Sequence, residues 1–321
     1  MNKMNRRILK YKHVVRLSMV VVILAVCRLP VECATFKDSL GREVRLEKIP
    51  KRIIPLAPSL TEILYYLGLG DRVAGVTQFS NYPTEAKEKP QIGSYIKLNI
   101  EKIISLSPDL VIGTKDGNNQ GDVDLLGQAK IPVFVVNPRD IRGVISTIAQ
   151  IADLCGIGEK GNWAVDDLTK RLEAVQAAVE GRERPLVFLQ INLRPIMTVN
   201  KNTFHNDLIN RAGGINMTAE EPITYPRISI EEVISRKPDI IIISSMDRGG
   251  EFEKAKDGWM EWTSIPAVKN NRVYLIDSDL TDRPSPRIVQ GLEVIARLIH
   301  PEVDWDKIQA PGQQPKERQE P

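Results

Sequence analysis

The sequence has few of the residues that disulfide frameworks, zinc sites and dithiol redox centres require. It holds three cysteines and three histidines among 321 residues, and no two cysteines are spaced as Cys-x-x-Cys. Cys27 and Cys33 lie in the first 33 residues, where the pattern described below predicts a leader. Cys155 would then remain alone, and its apolar helical context predicts a small buried hydrophobic side chain.

The short motifs of common enzymes are also missing. The sequence contains no Gly-x-Ser-x-Gly, no His-Glu-x-x-His and no Walker phosphate-binding loop, and its His and Cys residues do not cluster. His205 and His300 each stand near the end of a predicted helix, where a lone histidine is more often a surface residue than a ligand. These absences disfavour a chelatase-like enzyme or a hydrolase, which remains an alternative.

The first 33 residues differ in composition from the rest. Six basic residues between positions 3 and 16 precede the uncharged run LSMVVVILAV at 17–26, which is too short to span a bilayer comfortably. This pattern predicts a secretory signal peptide at residues 1–33, and hence a periplasmic location. Lipid attachment at Cys27 is the alternative, although Val26 stands where a lipidation motif has a small residue.

The positive charge of the chain is concentrated in this leader. The formal net charge is +3, but residues 1–33 hold seven of the 44 Lys and Arg and one of the 41 Asp and Glu, so the remainder carries −3. The basic character therefore implies no affinity for nucleic acid.

Strand and helix patterns alternate along most of the remaining chain. A buried strand at 52–56 is followed by a helix, which a capping box of Ser59 and Glu62 is predicted to open, and by a strand at 73–76. The alternation stops after about residue 140 and resumes at 186. It predicts an α/β fold of two Rossmann-like lobes with mostly parallel sheets, at 34–140 and 184–300.

The segment between the lobes, residues 141–183, carries no strand pattern. It predicts a helix at 141–154 and a longer one at 163–179, with Trp163 on its apolar stripe. A long helix packed against both lobes would limit their movement and leave a ligand cleft between them. Residues 301–321, rich in Pro, Gln, Lys and Glu, predict a disordered tail.

One stretch occurs twice at an offset of 130 residues. Residues 95–112, YIKLNIEKIISLSPDLVI, align with residues 225–242, YPRISIEEVISRKPDIII. Each copy predicts a helix start with an acid at the second helical position, Glu101 or Glu231, followed by a strand. Acids at such positions interact favourably with the helix dipole, by about 0.3–1 kcal/mol, and this alone could explain one copy.

The duplication also keeps a tyrosine six residues before the acid, Tyr95 and Tyr225. The fold does not require this residue, and each tyrosine falls in a strand-to-helix loop at the edge where α/β proteins bind ligands. We therefore expect one tyrosine from each lobe to flank a large flat ligand. The two acids would lie on the same rim and could meet a symmetric partner.

The chain resembles the helical-backbone substrate-binding proteins of ABC importers from about residue 50 to residue 300. RIIPLAPSLTEILYYLGLGDRVAGVT at 52–77 and NYPTEAKEKPQIGSYIKLNIEKIISLSPDLVIG at 81–113 resemble their first lobe. VFLQ at 187–190, AGG at 212–214, the second copy of the repeat and DSDLTDRPSPRIV at 277–289 resemble the second lobe of the cobalamin-binding members. The family takes up cobalamin, ferric siderophores and haem.

The resemblance implies a binding protein without its own catalysis and with cobalamin as its transported ligand. Tyr95 and Tyr225 match tryptophans that pack on the corrin, and Phe79 matches an aromatic residue near the ligand. Asp279 and Arg283 match an acid and an arginine that hydrogen-bond the amide side chains of the ring. Those two side chains are four residues apart, so they could instead pair with each other.

For partners, the resemblance implies an ABC permease homodimer with its ATPase subunits. Glu101 and Glu231 match the acids that dock against arginine pockets on the two permease subunits. The binding protein itself would be a monomer, and a corrinoid keeps its own lower base, so no protein ligand to the metal is required.

Haem and ferric siderophores remain alternative ligands. Haem usually requires an axial Tyr or His, and the haem-binding relatives have a tyrosine directly after the loop glycine, where this chain has Ser94. An anionic siderophore could be met by basic side chains, for which the candidates are Arg283, Arg227, Arg248 and Lys97.

Overall fold

The computed structural model describes residues 34–244 and 251–308, which form two α/β lobes joined by a pair of helices. Residues 1–33, Arg248 and residues 309–321 lie outside this part of the chain. The signal peptide and most of the predicted tail therefore stay predictions. The predicted α/β class with mostly parallel sheets is confirmed, because every strand pair in the two main sheets is parallel.

The N-terminal lobe begins with two short strands, β1 (Ala34–Lys37) and β2 (Glu43–Leu46). Its main sheet has the order β3-β4-β5, with β3 at Ile53–Pro55, β4 at Leu110–Thr114 and β5 at Val133–Val136. Its helices are α1 (Pro58–Tyr66), α2 (Ile100–Ser105) and α3 (Gln120–Gln128). Nearly all of the strand residues are buried, as expected for a parallel sheet with both faces covered.

The connector consists of α4 (Ile141–Leu154) and the 22-residue α5 (Gly158–Val179). It contacts both lobes: the Tyr66 hydroxyl donates to the Asp167 carboxylate at 3.5 Å, and Arg171 forms a bidentate pair with Glu293 at 2.9 and 3.1 Å. Trp163 is 63% exposed rather than on the apolar stripe, and the neighbouring Ala164 is buried in its place.

The C-terminal lobe has a sheet of order β7-β6-β8-β9, with β6 at Leu186–Gln190, β7 at Ile215–Asn216, β8 at Ile240–Ile243 and β9 at Val273–Leu275. Its helices are α6 (Phe204–Arg211), α7 (Ile230–Arg236), α8 (Phe252–Met260), α9 (Pro266–Lys269), α10 (Ser278–Thr281) and α11 (Ile288–Ile299). The four isoleucines of β8 are fully buried. Each such side chain contributes roughly 1.5–3 kcal/mol of hydrophobic stabilisation.

The repeated aspartate performs the same structural task in both lobes. Asp109 accepts a hydrogen bond from the Arg52 backbone N–H at 2.9 Å, and Asp239 accepts one from the Leu186 N–H at 2.8 Å. Each aspartate also donates its own N–H to the carbonyl of that residue, at 2.9 Å. Its side chain thus ties the start of the repeat's strand to the first strand of its sheet.

We expect Asp239→Ala to lower the free energy of unfolding by about 1–3 kcal/mol, because it leaves the Leu186 N–H without its acceptor. Urea denaturation measures the effect, with the exposed Asp124→Ala as the control. A loss no larger than that of the control would show that Asp239 does not anchor the sheet.

The predicted strand at 73–76 is not a strand. Ala74 donates its N–H to the Ile53 carbonyl, whereas Val76 donates to the Pro90 carbonyl on the other side. The segment therefore passes from one neighbour to another and forms only isolated bridges, Ile53 with Val73 and Val76 with Gln91.

The predicted cap of the first helix and part of the predicted tail are also wrong. The capping box at Ser59 does not form: α1 starts at Pro58 after Ala57, with no side-chain cap, because Glu62 is engaged elsewhere. Residues 301–308 are folded, since Val303 and Trp305 are buried and the Trp305 indole N–H donates to the His300 carbonyl at 2.9 Å.

Candidate functional site

Tyr95 lies beside the carboxyl end of β4 and packs against its own lobe. Its hydroxyl is 3.3 Å from the Thr114 hydroxyl, and its carbonyl accepts from the Asn118 amide at 3.3 Å. The ring covers Gly117 so closely that a Cβ added there would come within 1.4 Å of the Tyr95 hydroxyl oxygen. Burial raises the pKa of Tyr95, as does Asp116, while the Thr114 contact lowers it.

The loop after β4 is organised around Asn118 and an ion pair. The Asn118 side chain accepts from the Thr114 N–H at 2.8 Å and donates to the Leu56 carbonyl at 3.0 Å. Asp116, two residues earlier, forms a bidentate pair with Arg139 from the loop after β5, at 2.5 and 2.9 Å. Both loops leave the carboxyl end of the sheet, so they form one edge of the N-terminal lobe.

Tyr225 lies in the loop before α7 of the other lobe and is 37% exposed. This loop is held by hydrogen bonds to a second segment: Thr198 donates its N–H to the Pro226 carbonyl, and Asn200 donates to the Thr224 carbonyl, both at 3.0 Å. The tyrosine ring is therefore presented on a backbone that is fixed on both sides of it.

The electrostatic surroundings of Tyr225 include groups of the other lobe. Burial raises the pKa of Tyr225, and so do the negative charge of Asp116, the Tyr95 phenol and Asp282, whereas Arg139 lowers it. Asp116, Tyr95 and Arg139 belong to the N-terminal lobe, so the edge of that lobe lies within electrostatic range of the Tyr225 phenol. Tyr95 and Tyr225 thus lie within electrostatic range of each other.

Phe79, Asp279 and Arg283 also meet between the lobes. Phe79 is 57% exposed, and its carbonyl accepts from Arg283 at 3.3 Å. Arg283 and Asp279 form an ion pair at 2.9 Å, the pairing that their spacing made an alternative to ligand contact. Arg283 further donates to the Asn81 side-chain carbonyl and to the Glu62 carboxylate, both at 2.9 Å.

Glu62 is a residue of this region that the sequence patterns missed. Its local spacing from Ser59 matches a capping box, but its side chain is 2% exposed and bonds to residues more than 200 positions later. No local pattern could have found those partners.

Both histidines are buried, which corrects their interpretation as surface residues. His205 and His300 are 4% and 3% exposed. His205 Nε2 lies 3.2 Å from Asp282 Oδ1, and the Ser244 hydroxyl donates to the same oxygen at 3.0 Å. The His205 ring is stacked on the Phe204 ring, with 4.1 Å between the ring centroids. This packing and the contact with Asp282 bury it.

The two repeated acids are exposed at the first turns of α2 and α7. Asn99 and Ser229 are the N-caps, accepting from the N–H groups of Lys102 at 2.9 Å and Glu232 at 3.2 Å. Hydrogen bonds from its own backbone N–H and from the Ser229 hydroxyl lower the pKa of Glu231. The N-caps of the two helices are thus other residues, and the two acids remain exposed to solvent.

A cavity of about 660 Å³ is lined by residues of both lobes and of the connector. Tyr65, Tyr66 and Tyr82 line it together with Glu62 and Arg287, and none of the predicted ligand residues does. Tyr95 and Tyr225, the repeated tyrosines, lie outside this lining.

Within residues 34–244 and 251–308 we find no cluster of three or more potential metal ligands. Over the same residues, no helix combines the length and hydropathy needed to span a bilayer.

We expect Gly117→Ala to weaken ligand binding, because the added methyl group would displace the Tyr95 ring. An affinity loss of about tenfold corresponds to misplacing one stacked aromatic side chain. Isothermal titration of purified protein measures it, and Gly127→Ala, where a Cβ meets nothing within 4 Å, is the control. Equal affinities for the two variants would mean that the Tyr95 ring position does not matter.

Comparisons with known proteins agree with this architecture. A family model described as periplasmic binding protein matches residues 53–280. A vitamin B12-binding protein of Vibrio parahaemolyticus is 33% identical over 244 residues, which cover 75% of this chain and 86% of that protein. An uncharacterized ABC transporter substrate-binding lipoprotein of Bacillus subtilis, YvrC, is 34% identical over 276 residues, or 84% of this chain and 86% of that one.

Two solved structures extend the comparison. The periplasmic vitamin B12-binding protein BtuF of Vibrio cholerae superposes with a TM-score of 0.70 at 28% identity, covering 78% of this chain and 97% of that one. The periplasmic heme-binding protein RhuT from Roseiflexus sp. RS-1 gives a TM-score of 0.70 at 26% identity, with 81% and 99% covered. The shared fold thus occurs with more than one class of ligand.

Proposed function

Since this chain belongs to the periplasmic binding protein family, we propose that it captures a corrinoid such as cobalamin between its lobes and delivers it to an ABC importer. The observation that carries the proposal is that the Tyr225 phenol lies within electrostatic range of Tyr95, Asp116 and Arg139 of the other lobe. Two aromatic faces on either side of a cleft suit a broad, flat macrocycle, because ring faces bury large areas at little entropic cost.

Among the ligand classes of this family, a corrinoid fits these residues better than haem. Ser94 follows Gly93 where an axial tyrosine would be expected, and the Tyr95 hydroxyl is already paired with Thr114. A corrinoid needs no axial ligand from the protein. The vitamin B12-binding relatives at 33% identity support the same choice.

A ferric siderophore is the second candidate, because exposed cations lie near the tyrosines. Lys97 and Arg227 are exposed two residues beyond Tyr95 and Tyr225, and could meet an anionic chelate. Arg283, in contrast, is committed to Glu62 and Asp279, so its charge is already balanced.

We assign the protein no catalysis of its own. The nearest approach to a catalytic arrangement is Ser244, His205 and Asp282, in which both Ser244 and His205 contact the carboxylate. A serine nucleophile needs the histidine as its base, with the acid behind the histidine. This cluster has the acid in the middle, so it suits a structural role.

The proposal places the protein in the periplasm as a monomer. Export would use the signal peptide at 1–33, with a lipid anchor at Cys27 as the alternative. The lobes at 34–140 and 184–300, joined by residues 141–183, would flex about the helical connector. Glu101 and Glu231, exposed at matching positions, would dock on an ABC permease homodimer that works with its ATPase subunits.

The test is retention of colour by purified residues 34–321. The protein is mixed separately with cyanocobalamin, hemin and ferrichrome, freed of unbound ligand on a desalting column, and its visible spectrum is recorded. We expect equimolar retention of the corrin absorption bands. Retention of hemin or ferrichrome alone would reject the corrinoid and leave the binding-protein fold with another ligand.

A further inference from the structure

A buried ion cluster joins the two lobes next to the predicted ligand residues. At its centre is Glu62 on α1, whose carboxylate accepts three hydrogen bonds besides the one from Arg283. Those donors are the Ser285 hydroxyl at 2.7 Å and the Arg287 guanidinium, with Nε at 2.9 Å and Nη2 at 2.7 Å. Glu62 lies in the N-terminal lobe, and its partners precede or begin the last helix of the C-terminal lobe.

The cluster pairs carboxylates with guanidinium groups. Glu62 and Asp279 supply two carboxylates, and Arg283 and Arg287 supply two guanidinium groups. The four side chains are between 2% and 16% exposed. Removing one partner from such a group leaves a poorly solvated charge, which is much more costly than breaking a surface pair.

The same arginines hold a loop of the opposite lobe. Arg283 donates to the Phe79 carbonyl and the Asn81 side chain, and the Arg287 guanidinium lies 4.0 Å from the centroid of the Tyr82 ring. Residues 79–82 carry Phe79, one of the predicted ligand residues. Glu62 therefore orients the two arginines that fix this loop.

We propose that Glu62 is a positioning residue, which sets the relative orientation of the two lobes and the placement of the 79–82 loop for ligand capture. The part concerning ligand capture rests on the proposed function, whereas the part concerning lobe orientation does not. In this role Glu62 acts through its partners, because its carboxylate accepts hydrogen bonds from Ser285 and the two arginines.

The alternative is that the cluster contributes only to stability. A matched control separates the two roles: Glu293 on α11 also forms a bidentate pair with an arginine, Arg171. That pair joins α11 to the connector and does not reach residues 79–82. Glu293→Gln and Glu62→Gln thus both remove a carboxylate charge from an arginine pair, but only the second frees the loop.

The test measures the distance between the lobes by double electron–electron resonance. Spin labels are placed at the exposed positions of Gln128→Cys and Lys269→Cys, one on each lobe. The protein used is residues 34–321, in which Cys155 is the one native cysteine. It is expected to stay unlabelled, since it is buried and burial raises its thiol pKa to about 12. We expect a broader or shifted distance distribution for Glu62→Gln without ligand, and an unchanged one for Glu293→Gln.

Ligand affinity provides the second measurement. If the competent orientation falls to roughly one tenth of the population in Glu62→Gln, the apparent Kd for cyanocobalamin rises about tenfold. Glu293→Gln should keep its affinity. If the unaltered protein does not bind cyanocobalamin, the proposed function fails, and the distance measurement still decides the role of Glu62.

A milder variant covers the case in which Glu62→Gln does not fold. Arg287→Lys keeps the charge but loses the bidentate contact with Glu62 and the stacking on Tyr82. We expect it to alter the distance distribution in the same direction. Distributions identical to that of the unaltered protein in the folded variants would overturn the proposal.

Discussion

Replacing both Glu101 and Glu231 by alanine should abolish uptake of the ligand by cells and leave its capture by the purified protein unchanged. Both acids are exposed at helix starts, and Asn99 and Ser229 cap those helices instead. Each carboxylate is therefore accessible to a cation of a partner protein. Losing one partner of a buried interfacial charge pair costs about 2–5 kcal/mol, so two such losses predict a decrease in uptake on the order of 100-fold or more.

Uptake of radiolabelled cyanocobalamin by cells and the Kd of the purified variant together measure this effect. The control carries Glu85→Ala and Glu253→Ala, which also remove one exposed acid from each lobe. We expect the control to transport normally. Loss of ligand binding in the Glu101 and Glu231 double variant would refute the docking role, because it would place these acids in ligand capture.

Replacing both Tyr95 and Tyr225 by alanine should weaken cyanocobalamin binding by a factor on the order of 100 to 10,000. Each ring would contribute about 1–3 kcal/mol through buried aromatic area. The two rings belong to different lobes, so their contributions should be nearly additive unless the lobes reorient. Isothermal titration of the purified variants measures the loss.

The matched controls are Tyr95→Phe and Tyr225→Phe, which keep the ring face and remove the hydroxyl. We expect them to retain most of the affinity, with a slightly larger effect at Tyr95, whose hydroxyl contacts Thr114. If the phenylalanine variants bind as poorly as the alanine variants, then the hydroxyl and not the ring face contacts the ligand.

The repeat made much of the fold predictable, because its pattern is local. Its capping residues, helices and strands follow from neighbours within a few positions, and the structure has α2 and α7 within one residue of the expected start. The structure also explains the repeated Pro-Asp: the aspartate ties two strands together. Tyr95, Tyr225, Glu101 and Glu231 do not tie strands together in this way.

What the sequence did not reveal depends on contacts between distant parts of the chain. Glu62 has a local pattern that suggests a helix cap, but its partners lie 221–225 residues away. His205 looks like a surface residue until the fold brings Asp282 to it, 77 positions later. Trp163 fits an apolar stripe by spacing, yet the helix starts earlier and Ala164 takes the buried place.

A structure of residues 34–321 bound to cyanocobalamin tests the central claim most directly. We predict that the corrin ring lies between the Tyr95 and Tyr225 side chains, with the Glu62 cluster intact beside it. A corrin bound instead in the cavity lined by Tyr65, Tyr66 and Tyr82, or bound on one lobe without touching the other, would contradict the account.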